Sequence, residues 1–368
     1  MLANFRLAAA AALLTVVPSV FAQTFTDCDP LLKECPSDPA LGTFASFNWT
    51  KEAADAKVWN VTAQPIDFSL DGAQFTISRK GEGPTIASNF YIFWGRVSVV
   101  MKAASGVGVV SSIVLESADR DEIDWEWLGG NSTHVQTNFF GKADTSSYNR
   151  DVWHPIDNAL AEHNYTTVWT QEKTEFYIDD NLVRTLTFDD PKAKNTTVGD
   201  RYPQTPMQVK IGNWVPMENA TGTVEWAGGL ADWSKAPFVQ LVRSVEVQDF
   251  TNGKEYTYGD RSGSWQSIQV TPGNSTVADY LSKPRGVNGR FNALSQGVKI
   301  GIIIAAISVA AILVLLIAFC CIKNRRAGRK EKAIADAEWE RNVNELQQYK
   351  RMMVAEEEIH PRVKGGYI

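Results

Sequence analysis

The chain of 368 residues has few of the side chains that metal and thiol chemistry require, with only four cysteines and four histidines. The histidines do not show the spacing of a metal site, and the sequence contains neither a Gly-x-Ser-x-Gly elbow nor a phosphate-binding loop. They are His134, His154, His163 and His360. The formal net charge of −6 also lacks the basic surplus typical of nucleic-acid-binding proteins. We therefore expect no metal, no cofactor and no nucleic-acid partner.

Long apolar runs are confined to the two ends of the chain. Residues 1–22 combine the basic Arg6, a short apolar core at 7–17 and small residues before a cleavage point after Ala22 or Gln23. This is the pattern of a secretory signal peptide, and its apolar core is too short to span a membrane. The first 22 residues are therefore predicted to be removed during secretion.

Residues 300–322 form the second apolar run, whose 23 residues carry no charge. A membrane-spanning helix needs about 20 residues at 1.5 Å each. The basic residues that follow are typical of the cytoplasmic side of a span. They are Lys323, Arg325, Arg326, Arg329, Lys330 and Lys332. We predict a single-pass type I plasma-membrane protein with a cytoplasmic tail at 323–368. The tail either binds the inner leaflet or an unknown partner, or is simply a solvated helix.

Seven Asn-x-Ser/Thr triplets precede the predicted span and none follows it, as expected if only the first part of the chain enters the secretory lumen. The acceptors are Asn48, Asn60, Asn131, Asn164, Asn195, Asn219 and Asn274. Outside the membrane, Cys28 and Cys35 are predicted to form one disulfide in an oxidising compartment. Cys320 and Cys321 are either palmitoylation sites or ordinary small apolar residues of the span.

Between about residues 27 and 267 the sequence indicates an all-β fold. Short runs of β-branched and aromatic residues, such as 74–77 and 175–178, alternate with Gly, Asp and Asn clusters every 8–12 residues. This pattern favours one large jelly-roll β-sandwich, predicted to occupy residues 23–270. Residues 271–299 are polar and lose periodicity, so they are predicted to be a stalk between sandwich and membrane.

The segment 121–130, DEIDWEWLGG, contains the candidate catalytic residues. Side chains alternate between the two faces of a strand, so Glu122, Asp124 and Glu126 share one face. Three carboxyl groups in a row repel one another and resist burial, which favours a catalytic purpose over a structural one. An exposed acidic strand is the plainer alternative. Glycoside cleavage needs two such groups, one ionised and one protonated.

The Glu122-x-Asp124-x-Glu126 pattern resembles the catalytic signature of glycoside hydrolase family 16, and in particular the fungal Crh chitin transglycosylases of the cell wall. The similarity extends over residues 27–267. It includes the blocks CPSDPALG at 35–42, QTNFFGK at 136–142, YPQTPMQVKIGNW at 202–214, GTVEWAGG at 222–229 and YGDRSGSWQSI at 258–268. The resemblance implies that Glu122 is the nucleophile, that Glu126 is the general acid/base and contacts the sugar, and that Asp124 tunes the pair.

The resemblance also places chitin contacts at Lys210, Trp214 and Thr223, with Asn138 and Lys142 as further cleft candidates. In the predicted strand 209–214, alternation puts Lys210 and Trp214 on one face. In a second predicted strand, 222–226, Thr223 and Trp226 lie on opposite faces, and we assign Trp226 to the core. The implied reaction cleaves a β-1,4 bond of chitin with retention and transfers the chain to β-glucan or chitin. The alternatives are an endo-acting chitinase or β-glucanase, in which water resolves the intermediate, and a wall-binding protein with a dead site.

Overall fold

A computed structural model of the protein describes residues 25–197, 199–284 and 286–359. The predicted signal peptide, its cleavage point and His360 lie outside the described residues. The chain divides into two compact units, of which one ends at Lys283 and the other begins at Pro284.

The first unit consists mainly of β-strands. They are β1 (Asp38–Pro39), β2 (Phe44–Asn48), β3 (Trp59–Ala63), β4 (Asp67–Ser69), β5 (Gly72–Ile77), β6 (Thr85–Ser88), β7 (Gly95–Lys102), β8 (Val110–Ser117), β9 (Glu122–Leu128), β10 (His134–Phe140), β11 (Val152–Pro155), β12 (His163–Trp169), β13 (Lys173–Ile178), β14 (Asn181–Thr187), β15 (Lys194–Asn195), β16 (Gly199–Asp200), β17 (Met207–Trp214), β18 (Phe238–Asp249), β19 (Glu255–Tyr258) and β20 (Ile268–Thr271). Two short helices, α1 (Thr221–Trp226) and α2 (Thr276–Leu281), also belong to this unit.

Two antiparallel sheets form the sandwich. The front sheet has seven strands in the order β11-β10-β9-β8-β17-β6-β3. The back sheet has eight, in the order β14-β13-β12-β7-β18-β5-β4, with β2 also paired to β18. A three-stranded sheet, β1-β19-β20, and the β15-β16 pair complete the unit.

The two sheets are joined by a core of large apolar side chains. Trp125 and Trp127 of β9 are each only 1% exposed. The Trp125 indole Nε1 donates a hydrogen bond of 2.9 Å to Thr167 Oγ1 of the back sheet. The ring of Trp127 meets that of Tyr165 edge-on at 4.5 Å. Each indole therefore buries its apolar area between the sheets, and the predicted all-β sandwich is confirmed.

One disulfide connects Cys28 and Cys35, as predicted. It closes a short loop that precedes β1, and Arg120 anchors this loop through a 2.9 Å ion pair with Asp29.

The first part of the segment predicted to be a polar stalk, 271–299, packs on the sandwich instead. Ser275 and Val277 are only 2% and 7% exposed, and the Ser275 hydroxyl donates to the carbonyl oxygen of Ala40. The same hydroxyl accepts from the backbone N–H groups of Val277 and Ala278, and so caps the N-terminus of α2. The polar composition therefore concealed a capped helix that packs on the sandwich.

The second unit contains α3 (Gly286–Ala293) and α4 (Gln296–Ile359). At 1.5 Å per residue, the 64 residues of α4 extend over about 96 Å. The helix includes the apolar run 300–322 and is long and apolar enough to cross a membrane. It continues without interruption through the basic cluster, so the first part of the predicted tail is also helical.

Candidate active site

The three predicted carboxylates lie together on the front sheet. Strand β9 runs between β8 and β10, so that Glu122 is opposite Glu116 on one side and Phe140 on the other. Asp124 is opposite Asn138, and Glu126 is opposite Gln136. Because directly opposed residues point to the same face of a sheet, these partners share the face of the carboxylates.

The environment of the row differs from that of an exposed acidic strand. Asp124 is 2% exposed, and Glu122 and Glu126 are half-buried. Asp124 Oδ1 is buried without a hydrogen-bond partner among the described residues. Burying three ionised groups so close together is costly unless some are protonated. At least one of these three carboxyl groups must therefore be protonated.

Asp124 is the member of the row that holds its proton most strongly. Burial and the neighbouring charges of Glu122 and Glu126 raise the pKa of Asp124 well above its usual range. A hydrogen bond between Asp124 and Glu122 contributes to this rise and also opposes the rise in the pKa of Glu122. This interaction therefore favours a protonated Asp124 beside an ionised Glu122.

Glu126 is set apart from Glu122 by its surroundings. Burial, followed by the negative charge of Glu122, raises the pKa of Glu126 to about 8. Burial also raises the pKa of Glu122, but Asp124, Lys210 and Arg150 all counteract it. The surroundings therefore keep the proton on Glu126, while Asp124, Lys210 and Arg150 favour the ionised form of Glu122; glycoside cleavage needs this asymmetry.

A fourth acid, Glu116, lies beside the row and pairs with Lys210. The two side chains are 2% and 3% exposed and form a short buried ion pair. Lys210 Nζ also donates to the Phe25 carbonyl oxygen at 3.3 Å and lies 4.5 Å from the centre of its ring. Lys210 was predicted to contact sugar, but its ammonium group is already bound by Glu116 and Phe25. The Phe25 segment covers it.

A cleft of about 930 Å³ opens over the carboxylate row. Its lining comprises Glu122, Asp124, Glu126, Gln136, Asn138, Phe140, Tyr148, Asp151, Asn219, Ala220, Thr221, Gly222, Thr223 and Trp226. The predicted contacts Asn138 and Thr223 are among these residues. Lys142 is not; it follows β10, and its backbone N–H donates to Asp121 Oδ1 at 2.9 Å.

The segment 222–226 differs from its prediction as a strand. Residues Thr221–Trp226 form helix α1, which places Thr223 and Trp226 along the cleft. Trp226, assigned to the core from the sequence, lines the cleft, whereas Trp214 stacks behind it with ring centres 6.1 Å apart. Trp214 also packs with Val110 and Leu128. Trp226 packs against the same apolar cluster, so both rings are half-buried, and of the two only Trp226 lines the cleft.

Sequence reasoning missed several residues of the cleft because their positions depend on strand pairing. Gln136 lies opposite Glu126, and its amide Nε2 donates a hydrogen bond of 3.0 Å to Asp151 Oδ2. Tyr148 comes from the loop between β10 and β11. The only available signal was that Gln136 begins a block already noted for its resemblance to the family.

Asp121, directly before the catalytic strand, holds the entry to β9 in place. Its Oδ2 accepts from the Gln204 backbone N–H at 2.7 Å and from the Thr205 hydroxyl at 2.8 Å. Its Oδ1 accepts from the Lys142 N–H. This buried carboxyl therefore joins three loops at the end of β9 where Glu122 stands.

Comparisons with known proteins agree with this geometry. The sequence profile of glycosyl hydrolases family 16 matches residues 53–228. Crh-like protein 3 of Aspergillus fumigatus is 47% identical over 332 residues, covering 89% of this chain and 90% of that protein. Crh-like protein 2 of Botryotinia fuckeliana is 44% identical over 359 residues, covering 95% and 77%.

A solved structure, Crh5 transglycosylase in complex with NAG, superimposes with a TM-score of 0.62 and 45% identity. The match covers 66% of this chain and 99% of the other. The fold, the carboxylate row and these relatives lead to one conclusion: the chain belongs to the Crh-like proteins of glycosyl hydrolase family 16.

Proposed function

We propose that the protein is a cell-wall transglycosylase that cleaves β-1,4 bonds of chitin with retention and transfers the chain to β-glucan or to another chitin chain. The observation that carries the proposal is geometric: Glu122, Asp124 and Glu126 share one face of β9 and line the floor of an open cleft. Membership of the Crh-like proteins supports the substrate class.

In the first step, the Glu122 carboxylate attacks the anomeric carbon of the donor sugar. The glycosidic C–O bond breaks, and Glu126 gives its proton to the departing oxygen, so that a glycosyl ester of Glu122 and a free sugar hydroxyl result. A pKa of about 8 keeps Glu126 protonated for this task at the pH of a cell surface.

In the second step, Glu126 acts as a base. It takes the proton of an acceptor hydroxyl, whose oxygen attacks the anomeric carbon and releases Glu122 as a carboxylate. Asp124 supports both steps because its donated hydrogen bond stabilises the ionised form of Glu122. With a sugar as acceptor the result is transglycosylation, and with water it is hydrolysis.

The cleft wall supports the choice of a glycan as ligand. Trp226 offers a flat apolar face that can stack on a sugar ring, and it is held by the parallel Trp214 ring behind it. Gln136, Asn138 and Thr223 add hydrogen-bonding groups around the reacting carboxylates. Direct contact between Lys210 and sugar is not part of the proposal, because its ammonium group pairs with Glu116.

We assign the protein to the plasma membrane as a single-pass type I protein with its catalytic unit facing the cell wall. The apolar run within α4, the basic residues after it and the glycosylation triplets before it support this orientation. Protease treatment of intact cells should remove the catalytic unit and leave an epitope placed in the tail undigested; loss of the tail epitope would contradict the orientation.

The function is tested with the full-length protein in detergent, incubated with chitin oligomers and a labelled β-glucan acceptor. We expect a labelled hybrid product. Free short oligomers without a labelled hybrid would instead identify a hydrolase. Glu122→Gln should lower turnover by at least about a thousandfold, because the nucleophile is lost. Its far-ultraviolet circular dichroism should match the wild type, and unchanged turnover would refute the assigned role.

A further inference from the structure

One predicted glycosylation acceptor, Asn219, lies at the wall of the catalytic cleft. The residue follows β17 and stands two positions before α1, in a turn that the Ala220 N–H closes on the Met217 carbonyl oxygen at 2.9 Å. Asn219 is exposed and is among the residues that line the cleft of Glu122 and Glu126; it also borders a neighbouring cavity beside Trp233. Asn219-Ala220-Thr221 is a complete acceptor triplet.

We propose that Asn219 carries an N-linked glycan whose inner sugars compete with substrate for the cleft. This inference rests on the proposed function, because it requires the cleft to bind chitin-like sugars. In the secretory pathway the Asn219 amide nitrogen displaces a lipid diphosphate from the anomeric carbon of the glycan donor. A C–N bond forms, the C–O bond to the diphosphate breaks, and the amide proton leaves with the diphosphate.

The chemistry of the attached sugar makes competition specific. The two inner sugars of an N-linked glycan are β-1,4-linked N-acetylglucosamines, which is the repeating disaccharide of chitin. Attached at Asn219, this disaccharide begins at the cleft wall beside α1, the helix that presents Thr223 and Trp226. The cleft volume of about 930 Å³ lies in the range of pockets that enclose drug-sized ligands. The protein thus carries a fragment of its own proposed substrate next to its active site.

The expected size of the effect follows from the tether. A short flexible link gives an effective concentration on the order of millimolar. For the tethered disaccharide we take a dissociation constant of about 1 mM. With the two quantities of similar size, the cleft is occupied about half of the time, and KM rises about twofold. Because saturating substrate displaces the tethered sugar, kcat should not change.

The test compares the full-length wild type with Asn219→Gln, both made in a eukaryotic host that N-glycosylates secreted proteins. Peptide mass spectrometry determines whether Asn219 is modified, and initial rates with chitin oligomers give KM and kcat. Asn274→Gln is the matched control. It removes a different acceptor, exposed in the turn before α2 and not among the residues that line the cleft. The wild type and Asn219→Gln are also assayed after enzymatic removal of their glycans.

We expect a glycan on Asn219 and a KM about twofold lower in Asn219→Gln, with kcat unchanged and Asn274→Gln equal to the wild type. After glycan removal the difference in KM should disappear, which separates the glycan from the side chain. An unmodified Asn219, or an equal KM in an active enzyme, overturns this inference alone. A wild-type protein that leaves chitin intact overturns the proposed function and this inference with it.

Discussion

Replacing Lys210 by methionine should destabilise the protein by an amount that increases with pH. Methionine keeps most of the length of lysine but leaves the buried Glu116 without its cation. In the wild type, burial raises the pKa of Glu116 to about 7 even though Lys210 opposes the rise. Without Lys210 that pKa must rise further, and folding must keep Glu116 protonated over a wider range of pH.

The magnitude follows from proton linkage. A carboxyl group whose folded pKa is raised binds more protons in the folded state, so stability declines from the unfolded pKa to the folded pKa and then levels off. For a rise from 4.5 to about 7 the wild type loses about 3 kcal/mol, nearly all of it by pH 7. The variant should continue to lose stability above pH 7. Its free energy of unfolding should therefore be about 1.4 kcal/mol lower than that of the wild type at pH 8 and nearly the same at pH 5.

Urea unfolding of wild type and variant at pH 5 and pH 8 measures this difference. The double variant Lys210→Met with Glu116→Gln removes both charges, and the additional pH dependence should disappear. A loss that is the same at both pH values, or a double variant with the same pH dependence as the single one, would refute the reasoning.

Three further results are expected. For chitin cleavage, kcat/KM should fall as pH rises through about 8, because Glu126 then loses its catalytic proton; a profile flat from pH 4 to 9 would exclude this assignment. Trp226→Ala should raise KM by about fivefold to tenfold, the equivalent of about 1 kcal/mol of stacking, with the smallest effect on the shortest oligomers; equal effects at every length would argue against a stacking platform. Ser275→Ala should cost about 1–2 kcal/mol in urea unfolding through loss of the cap on α2, whereas the exposed Thr276→Ala should change stability by less than about 0.5 kcal/mol; equal losses would contradict the cap.

The parts of the site that depend on local chain geometry could be predicted from the sequence. Alternation along β9 separates Glu122, Asp124 and Glu126 from the two tryptophans of the core whatever the rest of the chain does. The same rule placed Lys210 on the correct face of β17, opposite Val114, which in turn is opposite Asp124. A period of two residues thus determines which face a side chain occupies.

What lies above that face is determined by distant parts of the chain and could not be predicted. Lys210 is covered because Phe25, 185 positions earlier, lies over it. Glu116 becomes its partner through strand pairing, and no local pattern indicates that pairing. Thr223 and Trp226 belong to a helix although valine and tryptophan favour strands, since β-propensity mainly reflects packing on a pleated surface. Here the segment packs at the end of β17 instead.

Lys210 and Arg150, two cations buried near the row, explain why the two glutamates should have different roles. Two like charges about 5 Å apart repel by about 3 kcal/mol at an effective dielectric constant of 20. The carboxyl groups of Glu116, Glu122, Asp124 and Glu126 on this face therefore cannot all be ionised. Ionisation is favoured at the carboxyl groups that lie closest to a cation. Lys210 lowers the pKa of Glu122 but is not among the causes that act on Glu126. The ion pair that removes Lys210 from sugar contact thus favours Glu122 as nucleophile and leaves Glu126 with the proton.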